Sequence, residues 1–101
     1  MTNVAKELLE FAYPFHAVRQ PEGGYTITFR DLPEAITQAD DGESLDDIAS
    51  DCLSEALAGR LSDREGIPRP RAPRRDERLT LPETNIELKT AFHHALRINP
   101  R

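Results

Sequence analysis

Tyr25-Thr26-Ile27-Thr28-Phe29-Arg30 follows directly on Pro21-Glu22-Gly23-Gly24. The hexapeptide alternates: Tyr25, Ile27 and Phe29 point one way, and Thr26, Thr28 and Arg30 the other. That is the period of a strand with one face buried and one face wet. The tetrapeptide before it holds a proline and two glycines, and glycine reaches positive φ at no steric cost, so it reads as a tight turn. Residues 13–20, Tyr-Pro-Phe-His-Ala-Val-Arg-Gln, supply the other arm of an antiparallel hairpin.

Working outward, Asp31-Leu32-Pro33-Glu34 breaks the second strand and residues 35–39 form a short third one. Residues 40–43, Asp-Asp-Gly-Glu, are a turn. Ser44 with Asp47 three positions on is a capping-box pattern. Leu45, Ile48, Ala49, Cys52, Leu53, Ala56, Leu57 and Leu61 then recur at i, i+3, i+4 and i+7, which predicts a helix over 45–64. Its apolar stripe has an obvious target in the Tyr25, Ile27 and Phe29 face. Gly66 suits the position just past the helix end, and Pro68 follows.

The flanks are less regular. Residues 3–12 predict a short helix capped by Asn3 and stopped before Pro14. Residues 67–78 are rich in arginine and proline (Pro68, Pro70, Pro73) and read as a solvated linker. Residues 78–82 alternate briefly as a fourth strand. Thr84 and Glu87 form a second capping box, ahead of a helix lined by Leu88, Ala91, Phe92, Ala95 and Leu96. The expected class is α+β: a three- to four-stranded, mainly antiparallel sheet with one helix packed on it, plus a C-terminal strand–helix tail. The expected segments are 1–12, 13–66, 67–78 and 79–101. No internal repeat is present.

At 101 residues the chain is one domain's worth of sequence, with 38% apolar and 31% charged residues. It has no apolar run long enough for a transmembrane helix. Acidic residues interrupt its start, so it is not a secretory signal. One cysteine, Cys52, excludes an internal disulfide and a Cys-rich zinc ribbon. The cytoplasm is the expected compartment. The net charge of −5 is unevenly spread: residues 1–59 carry 3 basic and 12 acidic side chains, whereas residues 60–78 carry 7 arginines against 4 acids. An acidic body repels nucleic acid and attracts a basic protein.

No nucleophile elbow, phosphate-binding glycine loop or metal motif occurs. His93 and His94 are adjacent, so on a helix they diverge by about 100° and do not share a metal. His16 reads as a surface or rim residue. Asp40, Asp41, Glu43, Asp46, Asp47 and Asp51 would suit a metal-dependent nuclease only if they converged from separate elements. They belong instead to one turn and one helix face, beside the positive helix N-terminus. Cys52 falls within the apolar stripe and reads as a small buried hydrophobe. No metal, cofactor or small-molecule substrate is expected.

Residues 13–68 resemble the HicB family, the antitoxin half of bacterial HicA–HicB toxin–antitoxin pairs. The resemblance is carried by Tyr13-Pro14, by residues 22–29 (Glu-Gly-Gly-Tyr-Thr-Ile-Thr-Phe), by residues 31–39 (Asp-Leu-Pro-Glu-Ala-Ile-Thr-Gln-Ala), by the spacing to residues 43–49, and by residues 64–68, Arg-Glu-Gly-Ile-Pro. It implies a degenerate RNase H-like core without catalysis. It also implies a partner, HicA: a small basic ribonuclease that cleaves mRNA. Residues 79–96 resemble the segment that in many members leads into a DNA-binding module, and the pair often represses its own operon. Only 23 residues follow Arg78, enough for a strand and one helix and short of a helix-turn-helix.

The leading expectation is therefore a non-catalytic antitoxin that covers the basic face of its toxin. The candidate contacts are Thr26, Thr28 and Arg30 on the wet strand face, the loop of Asp31, Leu32, Pro33 and Glu34, and the acidic side of the helix. The alternative is a DNA-binding autorepressor that meets operator DNA through Arg69, Arg71, Arg74, Arg75 and Arg78. A homodimer or higher oligomer is expected through Leu79, Leu81, Leu88, Phe92 and Leu96.

Overall fold

The alternation around the glycine turn becomes a hairpin of β1 (Tyr13–Arg19) and β2 (Tyr25–Thr28), with His16 opposite Thr28 and Arg19 opposite Tyr25. The computed structural model describes residues 11–83. Gln20 N–H donates to the Gly24 carbonyl at 2.9 Å and Gly23 N–H to the Gln20 carbonyl at 3.0 Å. Gly24 lies at φ +79°, and a Cβ there would stand 2.6 Å from the Ala39 carbonyl oxygen. Only glycine meets both conditions, because the third strand passes directly over the turn. That strand, β3 (Ile36–Ala39), pairs with the outer side of β2, Thr28 opposite Ile36 and Tyr25 opposite Ala39. The second strand ends two residues earlier than the alternation predicts, and the third begins one residue later.

After the 40–43 turn comes α1 (Leu45–Ser62). Ser44 is its N-cap, and its hydroxyl accepts from the Asp47 N–H at 3.2 Å. The C-terminus closes two residues sooner than the apolar periodicity predicts. Arg64, not Gly66, takes the left-handed conformation, at φ 59°. Arg64 N–H reaches the Leu61 carbonyl at 3.3 Å and Glu65 N–H the Arg60 carbonyl at 2.9 Å. These are the paired bonds that close a helix through a left-handed residue.

The helix lays Ala49, Leu53 and Leu57, all fully buried, in one core with Tyr13, Phe15 and Ile27 of the sheet and Phe29 just past the end of β2. Each large apolar side chain buried in this way contributes about 1.5–3 kcal/mol. Leu45, Ile48, Cys52, Ala56 and Leu61 flank this contact, partly buried. Phe11, Leu32, Ala35, Ala39 and Ile67 complete the core. The sheet closes with β4 (Arg78–Thr80), which pairs antiparallel with the start of β1, Tyr13 opposite Thr80. The order is β3-β2-β1-β4, with β3 and β4 at the edges.

The arginine- and proline-rich stretch is stitched to the body along its length. Arg60 Nη1 donates to the Gly66 carbonyl at 2.8 Å. Ile67 is buried in the core. The Tyr13 hydroxyl donates to the Pro68 carbonyl, and burial pushes that phenol well above its ordinary value, so it stays a donor. Arg71 donates to the Asp31 carboxylate from its backbone N–H at 2.9 Å and from Nε at 2.5 Å. Arg30 reaches the Ala72 carbonyl at 2.7 Å and holds both oxygens of Glu77, at 2.7 and 3.0 Å. Glu77 also accepts from the Arg74 N–H at 2.8 Å. The helices expected at 3–12 and after Thr84, with their capping boxes and the pair His93 and His94, lie outside the described residues.

Two predictions follow from the stitched segment. The Asp31 side chain is 3% exposed, whereas that of Glu34, which pairs with Arg60 at 2.6 Å, is 44% exposed. In urea unfolding, Arg71→Ala is expected to cost about 1–3 kcal/mol, because it strips the buried Asp31 carboxylate of its side-chain donor. Glu34→Ala is expected to cost less than about 1 kcal/mol, because water replaces an exposed ion pair. The second concerns acid. The Arg30 guanidinium holds the Glu77 carboxyl below its ordinary value of 4.5, and Arg60 does the same for Glu34. A lowered folded-state pKa stabilises fully above the unfolded value and is lost as pH falls through the folded one. Urea midpoints should therefore hold steady above pH 4.5 and fall below it, and Glu77→Gln should make that fall shallower.

Candidate functional site

The helix-free face of the sheet carries Ile36 and Gln38 from β3, Thr26 and Thr28 from β2, and His16 and Val18 from β1, placed together by the register. Thr26 and Thr28 are half-buried. His16 stands 3.3 Å from Asp76 in the turn before β4. Arg30 is spent on Glu77, and the bond between them keeps the guanidinium charged as firmly as it keeps the carboxylate so. In the loop that follows, Leu32 is fully buried in the core and Asp31 is occupied by Arg71. Pro33 and Glu34 are the loop's exposed residues. The loop thus divides into an anchoring half and a presented half, a division invisible without knowing that residues 67–77 fold back on it.

The arginines nominated for nucleic acid separate in the same way. Arg71 is bound to Asp31. Arg78 pairs with Asp46 at 3.3 Å and lies over the Phe15 ring, 5.8 Å from its centroid. Arg69 also has a partner. Arg74 and Arg75 are exposed. Among the nominated dimer residues, Leu79 and Leu81 are exposed at 48% and 36%. Leu88, Phe92 and Leu96 lie outside the described residues.

The acidic residues are the more coherent surface. Asp47, Asp51 and Glu55 are spaced four apart on α1, which sets them on one helical face, and all three are exposed. Among the described residues no cation pairs with Asp40, Asp47, Asp51 or Glu55, whereas Asp41 is held by Arg19 at 2.7 Å and Asp46 by Arg78. Two depressions flank this stripe and share Glu55. One, of about 280 Å³, lies between α1 and the outer edge of β3, lined by Ile36, Thr37 and Gln38 on one side and by Glu43, Ile48, Asp51, Cys52 and Glu55 on the other. The second, of about 370 Å³, runs toward the helix end past Gly59, Arg60, Asp63 and Glu65, with Glu34 across it.

Cys52 is half-buried at the edge of the core, where burial pushes its thiol up, with Glu55 adding to the effect. That is the opposite of what a reactive thiolate needs. The spacing of the apolar stripe placed it with the core, and no sequence signal put it on the wall of a groove. Among the described residues no three potential ligands stand where they would hold a metal ion. The same residues include no helix long and apolar enough to cross a membrane.

Comparison with known proteins gives this geometry a family. Residues 12–91 match the model of the HicB-like antitoxin of bacterial toxin–antitoxin systems. Over 58 residues the chain is 41% identical to Antitoxin HicB 1 of Photorhabdus laumondii, which covers 57% of this chain and 37% of that protein. It is 40% identical over 58 residues to Antitoxin HicB of Escherichia coli, covering 57% of this chain and 42% of that protein. The aligned stretch thus spans about two-fifths of each curated relative. The matched range takes in the whole four-stranded sheet and its helix, and the chain belongs to the HicB-like antitoxin family of bacterial toxin–antitoxin systems.

Proposed function

We propose that the chain neutralises a small, basic, HicA-type mRNA-cleaving toxin by covering its RNA-binding or catalytic face. The observation that carries this reading is the acidic stripe of α1, where Asp47, Asp51 and Glu55 are exposed and no cation among the described residues pairs with them. A ribonuclease holds phosphates on a basic surface, and carboxylates at similar spacing compete for that surface without offering a scissile bond. Neutralisation is then steric and electrostatic, and it requires no catalytic group on this chain. Opposite charge also speeds the encounter, by 10-fold to about 1,000-fold at low salt.

The family membership supports a toxin as the partner, and the cytoplasm, where mRNA is, as the meeting place. The operator-binding reading has less support, because Arg71 and Arg78 are committed to Asp31 and Asp46. Self-association through the exposed Leu79 and Leu81 is compatible with either role.

The decisive experiment titrates the purified chain into RNA cleavage by the basic protein encoded beside its gene. Cleavage should fall linearly to zero near one equivalent, and the complex should weaken as salt rises. Undiminished cleavage at saturating excess rules the reading out.

A further inference from the structure

The two edges of the sheet are protected unequally. β4 is three residues long and carries Arg78, whose guanidinium is tied to α1 through Asp46. β3, Ile36-Thr37-Gln38-Ala39, has no charge, no proline and a side chain at Ile36 that is 61% exposed. Soluble proteins ordinarily blunt an open edge with lysine, proline or a bulge, since its unpaired N–H and C=O groups are a template for another strand. Among the described residues no strand pairs with the outer side of β3. That side opens into the groove walled by α1, with Ile48 and Cys52 below and Glu43, Asp51 and Glu55 at the rim.

The rim decides what enters. Among the described residues no cation lines the groove, so an acidic strand finds no partner there, whereas a basic one finds three carboxylates. A second copy of this chain would bring its own carboxylates against these, and like charges set face to face oppose association. The spacing also suits an extended occupant. Asp51 and Glu55 are one step of four on the helix, about 6 Å along its axis. Alternate residues of a strand are about 6.6 Å apart. Lysine or arginine at every second position of an added strand therefore meets successive carboxylates.

We propose that the free edge of β3 takes an extended segment of the toxin as a fifth strand, with basic residues at alternate positions paired to Asp51 and Glu55. The proposal rests on the antitoxin reading and deepens it: backbone pairing supplies the geometry, and the rim selects the charge. It assigns a role to the edge strand, which was not among the contacts the sequence suggested.

The test uses the full chain and the basic protein encoded beside its gene. Binding is measured for Asp51→Lys, Glu55→Lys and, as a control of equal charge change, Asp76→Lys, which lies before β4 at the other end of the sheet. Asp51 and Glu55 are exposed helix positions where lysine is well tolerated. Each is expected to weaken the complex by about 10-fold or more, and the control by less than about 3-fold. Amide exchange at alternate residues of 36–39 should slow at least 10-fold on binding. If Asp51→Lys and Glu55→Lys weaken the complex no more than Asp76→Lys does, or if these amides exchange as fast in the complex as in the free chain, strand addition here is wrong and the antitoxin reading stands. If the wild-type chain forms no complex, both fall.

Discussion

Arg30 and Asp31, adjacent in sequence, grip opposite parts of one returning segment, and much of the remaining structure depends on that grip. Asp31 holds Arg71, and Arg30 holds Ala72 and Glu77. Between them they bring residues 71–77 back across the end of β2 and deliver Arg78 to its place beside β1. The stretch 67–78, with prolines at 68, 70 and 73, has little hydrogen-bonding capacity of its own, and its conformation must be set from outside. Here the setting comes from charges that are nearly buried: the Glu77 and Asp31 side chains are 5% and 3% exposed. Burial makes each of these carboxylates costly alone and tolerable only when paired. The Tyr13 hydroxyl on Pro68 and Ile67 in the core fasten the start of the same segment.

The arrangement has a consequence for the surface. Cations are paired within the chain: Arg30 with Glu77 and Arg60 with Glu34 where the guanidinium is mostly covered, Arg71 with Asp31 and Arg78 with Asp46 where it stays exposed. The acids on the exposed face of α1 are left without internal counterparts among the described residues. The negative face is thus produced as much by where the arginines go as by where the acids are. Net charge alone would not have revealed it, because the local excess of arginine in residues 60–78 suggests an unpaired basic patch, whereas Arg60, Arg71 and Arg78 are each paired with an acid.

The hairpin, α1 and their mutual packing were legible because their signals are local. Tyr25, Ile27 and Phe29 alternate, the glycines mark the turn, and Ser44 announces the helix. The helix end was less legible: Gly66 looked like the natural left-handed residue, yet the chain turns at Arg64, where the two closing bonds offset the cost of a side chain at positive φ. The docking of residues 67–77 was not legible, since it rests on pairs separated by 40 to 55 positions, such as Arg71 with Asp31 and Tyr13 with Pro68. Composition described that stretch as solvated, and most of its residues are exposed; what composition did not show is the tertiary pairing that fixes its path. For the same reason Asp31 and Leu32 looked like part of a presented loop, and Arg30 like a residue of the wet strand face, whereas Leu32 and Asp31 are buried and Arg30 is bound to Glu77.

The open edge of β3 and the acidic rim above it are best understood together. An edge strand without charge invites any neighbouring strand, including an identical one, so the proposed strand addition requires that copies of this chain not compete for the same edge. Placing the protective charge on α1 rather than on β3 leaves the strand's backbone open while setting the sign of what approaches. A lysine within β3 would close the edge to a basic partner; carboxylates across the groove close it to this chain's own copies and leave it open to the opposite charge. In the proposed complex, helix and strand divide the work of recognition: the backbone of one is indifferent to sequence, and the side chains of the other are selective for charge.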